Sequence, residues 1–234
     1  MPAATPAPGP VPPSPRRRGP RPRYSRADVA GAAVAIADGG GLDAVTFRAV
    51  AARLGTGVMS LYNYVPDKQA LVYEMTEQVG AELDLHEPTG DWRADLHEMA
   101  RRQREVVLRH PWLIDASTHL QPIGPSGLAM LEFGLGALES TGLPVRDQLE
   151  TIALVYGFVL NMVRAELANR ADTADPGAQA AQFALLPELL ATGRYPRFAA
   201  LMAQGGQPEA FDPAEHFSRL LDRILDGLGR EPGA

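Results

Sequence analysis

From Tyr24 onward, small and branched apolar residues recur three and four positions apart, and no segment alternates polar with apolar side chains. A strand half-buried in a sheet needs that alternation, whereas a helix burying one stripe needs the three-and-four spacing. The chain is therefore expected to be all-α. Proline and glycine punctuate the pattern and divide it into helices. Before Tyr24 the pattern is absent. Residues 1–23 are dense in proline and arginine, and such a stretch neither propagates a helix nor buries enough apolar surface to offset its chain entropy. It reads as a disordered, extended arm.

Start and stop signals place the helices. Ser25 caps the first, with Asp28 three positions on as an approximate capping box, and Gly39-Gly40-Gly41 ends it. Thr46 caps a short second helix that turns the three apolar residues Val50, Ala51 and Leu54 inward and stops at Gly55. The turn Gly55-Thr56-Gly57 leads to a third helix, Val58 to Tyr64, closed by Pro66, and Asp67 caps a fourth that runs to about Leu83. Beyond His86-Glu87-Pro88 the helices lengthen. They are expected over 92–110, 111–119, 126–141, 144–171, 178–192, 196–203 and 213–228, with Asp172–Gly177 as a mobile linker. Three parts follow: an arm (1–23), a helix-turn-helix unit (24–86) and a larger helical body (87–234).

Charge is unevenly spread over them. The formal balance is −6, from 22 basic and 28 acidic side chains. Residues 1–26 hold Arg16, Arg17, Arg18, Arg21, Arg23 and Arg26 without an acid, so the other 208 residues carry 16 basic against 28 acidic groups. A cationic arm before an acidic body points to nucleic acid or an anionic surface.

The absence of cysteine excludes disulfides, thiolate catalysis and thiolate-bound metals. The five histidines form no i, i+4 pair, so neither a metal nor a cofactor is expected. The longest nearly apolar stretch, Ile152 to Val163, is interrupted by Asn161 and is shorter than the roughly 18 residues of a membrane span. Arg16–Arg18 are followed by Gly, Pro and Arg rather than by an apolar signal segment. No membrane association is expected, and the cytoplasm is the expected location. No phosphate-cradling glycine loop, HExxH or G-x-S-x-G elbow occurs, so an enzyme is not expected.

Two short helices joined by a glycine turn have the helix-turn-helix spacing. The second exposes Ser60, Tyr62, Asn63 and Tyr64 and needs only Leu61 and Val65 for packing, and its first turn follows a glycine near the basic arm. The stretch Thr46–Leu71, TFRAVAARLGTGVMSLYNYVPDKQAL, resembles the DNA-binding signature of the tetracycline-repressor (TetR) family of transcriptional regulators. The matching elements are Thr-x-Arg, Ala-x-x-Leu-Gly, Ser-Leu-Tyr-x-Tyr, and Lys68 with Leu71; the close match spans Tyr24 to Leu83. Farther on, His110-Pro111-Trp112, the Gly-Pro-x-x-Leu start at Gly124 and Tyr156-Gly157 resemble the family's C-terminal ligand domain as found in many actinobacterial regulators.

The resemblance implies that Thr46, Arg48, Val58, Met59, Ser60, Tyr62, Tyr64 and Lys68 face DNA. Lys68 and the hydroxyls suit phosphate oxygens, which position a protein without reading sequence. Arg48 suits a guanine edge as a bidentate donor, whereas Val58 and Met59 offer only contact with a thymine methyl. Base discrimination then rests on Arg48, Asn63 and DNA shape. The arm's Arg16, Arg17, Arg18, Arg21 and Arg23 suit the minor groove or loose phosphate attraction, either of which makes binding salt-dependent.

A reader of two-fold DNA sites needs a self-complementary surface. The expected interface joins Val155 and Val159 of the long eighth helix to Phe217, Leu220, Leu221, Ile224 and Leu228 of the last. Trp112, His119, Met130, Phe133, Tyr156, Asn161 and Met162, polar groups among large apolar ones, are the expected effector contacts, with His97 and Met99 secondary. The function expected is a homodimeric, ligand-responsive repressor bound to a palindromic double-stranded DNA operator and released by a small, mostly apolar or aromatic effector. The alternative is a helical protein-interaction or architectural DNA-binding module without an effector, which requires a solid core between the fifth and eighth helices.

Overall fold

The computed structural model describes residues 23–118, 122–174, 177, 181, 183–203 and 212–228. Arg16, Arg17, Arg18 and Arg21 of the arm, and His119, lie outside these residues. Among the described residues there are helices and turns and no strand.

Helix α1 spans Arg26–Gly40 and opens on a reciprocal cap. The Ser25 hydroxyl accepts from the Asp28 amide at 3.1 Å, and the Asp28 carboxylate accepts from the Ser25 amide at 2.7 Å, a bond that holds the Asp28 carboxyl below its ordinary pKa. Helix α2 (Phe47–Leu54) is capped by Thr46 and ends at Gly55, whose φ of 63° lies in the left-handed region open to glycine. Helix α3 (Val58–Leu61) is one turn long. The expected continuation to Tyr64 is a bonded turn, with the Tyr64 and Val65 amides both donating to the Leu61 carbonyl. Helix α4 (Lys68–Gly80) starts on Asp67, which accepts from the Ala70 amide at 2.8 Å. Helix α1 packs against α4 and α2. They enclose a first core containing Val29, Ala33, Val50, Leu61, Leu71 and Met75.

The second core belongs to the longer helices: α5 (Trp92–Arg109), α6 (Leu113–Ala116), α7 (Pro125–Leu138), α8 (Val145–Ala174) and, at the end, α11 (Pro213–Leu228). Between α8 and α11 lie the short α9 (Leu186–Ala191) and α10 (Pro196–Ala203). Helix α5 packs on α7 and α8, and α11 on both α5 and α8. Their shared core contains Leu96, Met99, Phe133, Ile152, Val155, Val159, Val163, Phe217 and Leu221.

This packing corrects the expected interface. Val155, Val159 and Leu221 are fully buried, and Phe217 nearly so, inside a single chain, because α5 and α11 converge on that side of α8. The outward face of α8 instead carries Leu149 and Leu154, and Leu220 and Ile224 of α11 are half-buried. Helix α11 ends at Leu228, whose side chain lies outside the described residues. Helix α8 includes Val145–Arg170, long and apolar enough by length and composition alone to cross a membrane, a test that a core helix also passes. Its inner face is the spine of this core.

Boundaries in the body differ from expectation as well. Helix α6 is one turn long, because the Ser117 and Thr118 hydroxyls fold back onto the Ile114 and Asp115 carbonyls at 2.7 Å and compete with further helix. Helix α8 runs through Asp172 to Ala174, absorbing half of the expected linker; nothing opposes propagation until Pro176, and Asp175 and Pro176 lie outside the described residues. The expected helix over 178–192 is broken by a turn at 183–185, after which Pro187 sits in the first turn of α9, where its missing N–H costs nothing.

Candidate nucleic-acid interface and ligand cavity

The helix-turn-helix presents its side chains in two groups. Arg48, Met59, Tyr62, Asn63 and Lys68 are exposed, Met59 at 78%. Water gains nothing from so exposed a thioether chain, whereas a thymine methyl is an apolar partner of matching size. Arg48 makes no ion pair among the described residues, so its guanidinium is available. Tyr62 does two things: its ring stacks on Phe47, centroids 4.7 Å apart and 12° from parallel, while about half of its surface stays open. Lys68 also holds the fold, since its ammonium donates to the Leu42 carbonyl at 3.3 Å.

Val58, Ser60 and Tyr64 are half-buried, and Val58 and Tyr64 pack against the first core. The Tyr64 hydroxyl accepts from the Tyr24 amide at 3.4 Å, and the Tyr24 hydroxyl donates to the Leu54 carbonyl. These bonds tie the end of the arm to α2. Arg23 lies over the Tyr24 ring at 5.5 Å. The Thr46 hydroxyl spends its lone pair on the Ala49 amide at 3.1 Å and keeps its hydrogen for an outside acceptor.

Of the expected effector residues, Met130 and Tyr156 line one cavity of about 380 Å³ between α4, α5, α7 and α8. Its wall includes Glu77 and Val79 from α4, Gln103 and Val107 from α5, and Leu131 from α7. Burial pushes the Tyr156 phenol pKa up, so the hydroxyl stays protonated. Phe133, again with Met130, borders an adjoining groove of about 600 Å³ that runs past His86 and Pro88. Met162 faces a small separate pocket of about 120 Å³ beside Arg104 and Glu166.

The rest are elsewhere. Asn161 is exposed on the outer face of α8 rather than buried. Trp112 belongs to the first core, where its indole N–H donates to Asp38 at 2.8 Å. The same Asp38 oxygen lies 2.7 Å from His110 Nδ1, so α1 is stitched to the α5–α6 junction. His97 pairs with Asp222 at 2.9 Å, and Met99 is core.

Sequence reasoning missed Gln103 and Glu77. Apart from Asp95 in the first turn, Gln103 is the one polar residue on the buried face of Leu96, Met99, Ala100, Val106 and Val107, and a polar residue at helical spacing on such a face was the available signal. Glu77 accepts from the Ser126 amide at 2.9 Å and the Ser126 hydroxyl at 2.7 Å, closing the start of α7 onto α4. No spacing rule links residues 49 positions apart.

A one-turn helix following a glycine turn on a three-helix core, joined through α4 to a larger helical body with a cavity open to one side, defines a class of DNA-binding regulators. Residues 31–75 match the family of bacterial regulatory proteins named tetR, and residues 86–231 match the tetracyclin repressor-like C-terminal domain. The chain belongs to the TetR family of transcriptional regulators. It is 38% identical over 218 residues, covering 90% of this chain and 79% of the relative, to the HTH-type transcriptional repressor DrrR1 of Streptomyces coeruleorubidus. It is also similar to the tetracycline repressor protein class A from transposon 1721 of Escherichia coli, 28% identical over 81% of this chain and 83% of the relative. The crystal structure of the Streptomyces coelicolor TetR family protein ActR in complex with actinorhodin superposes with a TM-score of 0.73, at 28% identity over 88% of this chain and 95% of that one.

Proposed function

We propose that this chain is a ligand-responsive repressor that binds a palindromic operator as a homodimer in the cytoplasm and is released by a small, mostly apolar or aromatic effector. It is a sensor and a DNA reader, with residues 24–86 making the DNA contacts and 87–234 carrying effector and partner surfaces, and it performs no chemistry on its ligand. The observation that carries this reading is that α4 belongs to both parts. Its Leu71, Val72 and Met75 are core to the helix-turn-helix, while its Thr76, Glu77, Val79 and Gly80 form the wall of the cavity. A ligand that favours a wider cavity therefore favours a different tilt of α4, and with it a different separation of the two reading helices. DNA fixes that separation at one turn, roughly 34–36 Å. The ligand's differential affinity for the two states sets how far the balance moves. That ActR binds actinorhodin and that DrrR1 is a repressor support the same reading.

A cavity between α5 and α8 speaks against an effector-free architectural module, which needs a solid core there. The test is selection of bound duplexes from a random pool, followed by affinity measurements on the recovered site with and without aromatic ligands. A palindrome whose affinity drops on ligand addition is expected. Absence of enrichment sinks the DNA assignment, and enrichment with ligand-independent affinity sinks the effector assignment.

A further inference from the structure

One polar atom in the cavity wall is left over. Gln103 is 2% exposed, its amide nitrogen donates to the Met130 sulfur at 2.9 Å, and its Oε1 is buried with no hydrogen-bond partner. A thioether sulfur only accepts, so this contact determines which end of the amide faces Met130 and leaves the carbonyl oxygen as the unfilled position. Buried polar atoms in native proteins almost always have a partner, and an exception asks for a reason.

Among the described residues no neighbouring polar group pairs with Gln103 Oε1, the Tyr156 hydroxyl of the same wall included. Glu77 is engaged by Ser126, and the Thr76 and Ser117 hydroxyls donate to the Tyr73 and Ile114 carbonyls. Among the described residues, Glu77 is also the one formal charge in this cavity's lining, and both of its oxygens already accept from Ser126. An anionic ligand would shed its hydration beside this carboxylate without a counter-ion, which is costly, and the mostly apolar wall favours a neutral ligand over a cation.

We propose that the cavity takes a neutral, largely apolar ring compound bearing a hydroxyl or N–H group that donates to Gln103 Oε1, making Gln103 a specificity-determining residue. This rests on reading the cavity as the effector site. A volume of about 380 Å³ suits a molecule of a few fused rings. Selectivity arises because a ligand without the donor leaves the oxygen unpaired, and a site built to hydrogen-bond a hydroxyl discriminates strongly against the analogue lacking it.

The test uses the full chain and two coloured probes, 2-hydroxyanthraquinone and its O-methyl ether, titrated by absorbance, with the affinity for the selected operator measured in the same samples. The hydroxy compound is expected to bind at least about tenfold tighter than the ether, in keeping with the loss of one hydrogen bond to a buried group. Gln103→Leu, and independently Gln103→Met should the leucine variant fail to fold, are expected to bring the two probes within about twofold of each other. Both are also expected to raise the melting temperature of the ligand-free protein by removing the unpaired oxygen. Equal affinity of the wild type for both probes, binding of neither, or a preference that survives in the folded variants would overturn the assignment. A preference for the hydroxy compound with unchanged operator affinity would instead leave Gln103 in its role and remove the effector reading.

Discussion

At the scale of single residues, the side chains proposed to face DNA divide by what each spends inside the protein. Arg48 spends nothing, so its fork of donors is free for a guanine edge. Lys68 is shared between the Leu42 carbonyl and solvent. Arg48→Ala is expected to relax base preference at one position of each half-site, with a loss of about 1–3 kcal/mol against the preferred base. Lys68→Ala should weaken all duplexes alike and also lower stability slightly. Comparative selection with the two variants checks this, and an Arg48→Ala protein that keeps its full base preference would remove Arg48 from readout. A different kind of residue is Glu166, 8% exposed, which pairs with Arg104 at 2.7 Å and with Arg170 at 2.5 Å, while Arg104 also covers the Phe217 ring. Glu166→Ala leaves Arg104 without its buried partner and is expected to cost about 3–5 kcal/mol of folding stability. Denaturant unfolding measures it; a cost below about 1 kcal/mol would mean that water reaches Arg104.

At the scale of elements, the contact between α7 and α8 is set by Gly134. A methyl group there would stand 2.7 Å from two carbons of Ile152, which is itself 1% exposed and has no room to retreat. Gly134→Ala is therefore expected to destabilise by about 1–3 kcal/mol despite alanine's better helix propensity. A Tm above that of the wild type would show that the helices can part. Such close approaches depend on three-dimensional neighbours, and this explains what was legible beforehand. Caps and stops at Ser25, Thr46, Gly55 and Asp67 are local chemistry, and each stands where the sequence places it. The faces of α8 were not legible, because a helix apolar nearly all round names no inside: Val155 and Asn161 exchange their expected surroundings once α5 and α11 choose a side. Trp112 misled for a related reason. Its type suits a pocket, but the partner that claims its N–H, Asp38, lies 74 positions away. The cavity was legible at Tyr156 and Met130, and Gln103 needed the knowledge that its face is buried.

At the scale of the whole molecule, two surfaces remain to be matched with partners. The outward stripe of α8 carries Leu154, Asn161 and Ala165 at helical spacing, with the half-buried Phe158 between them leaning on Phe217, and Leu220 and Ile224 of α11 are half-open. This is the surface on which a second copy is expected to dock, in place of the buried Val155 and Val159. Leu154, 51% exposed, is the test position: Leu154→Glu should convert dimer to monomer in sedimentation without lowering helix content, and should abolish tight binding to the palindrome. The second surface is electrostatic. From Arg16 to Leu71 there are nine basic and four acidic residues, whereas residues 87–234 hold 13 basic and 20 acidic ones. The overall −6 thus averages a cationic N-terminal part with an anionic body, a field expected to turn the molecule so that the proposed reading face meets DNA first. Each phosphate neutralised releases condensed counterions, so the logarithm of affinity falls with the logarithm of salt by about 0.9 per contact. Deleting residues 1–22 removes Arg16, Arg17, Arg18 and Arg21 and leaves the Tyr24 anchor to α2 in place. If even one arginine of each arm meets a phosphate, the slope measured for the dimer should flatten by about 2, with base preference at the Arg48 position retained. An unchanged slope would place the arm off the DNA, and the charge asymmetry would then act only on the rate of encounter.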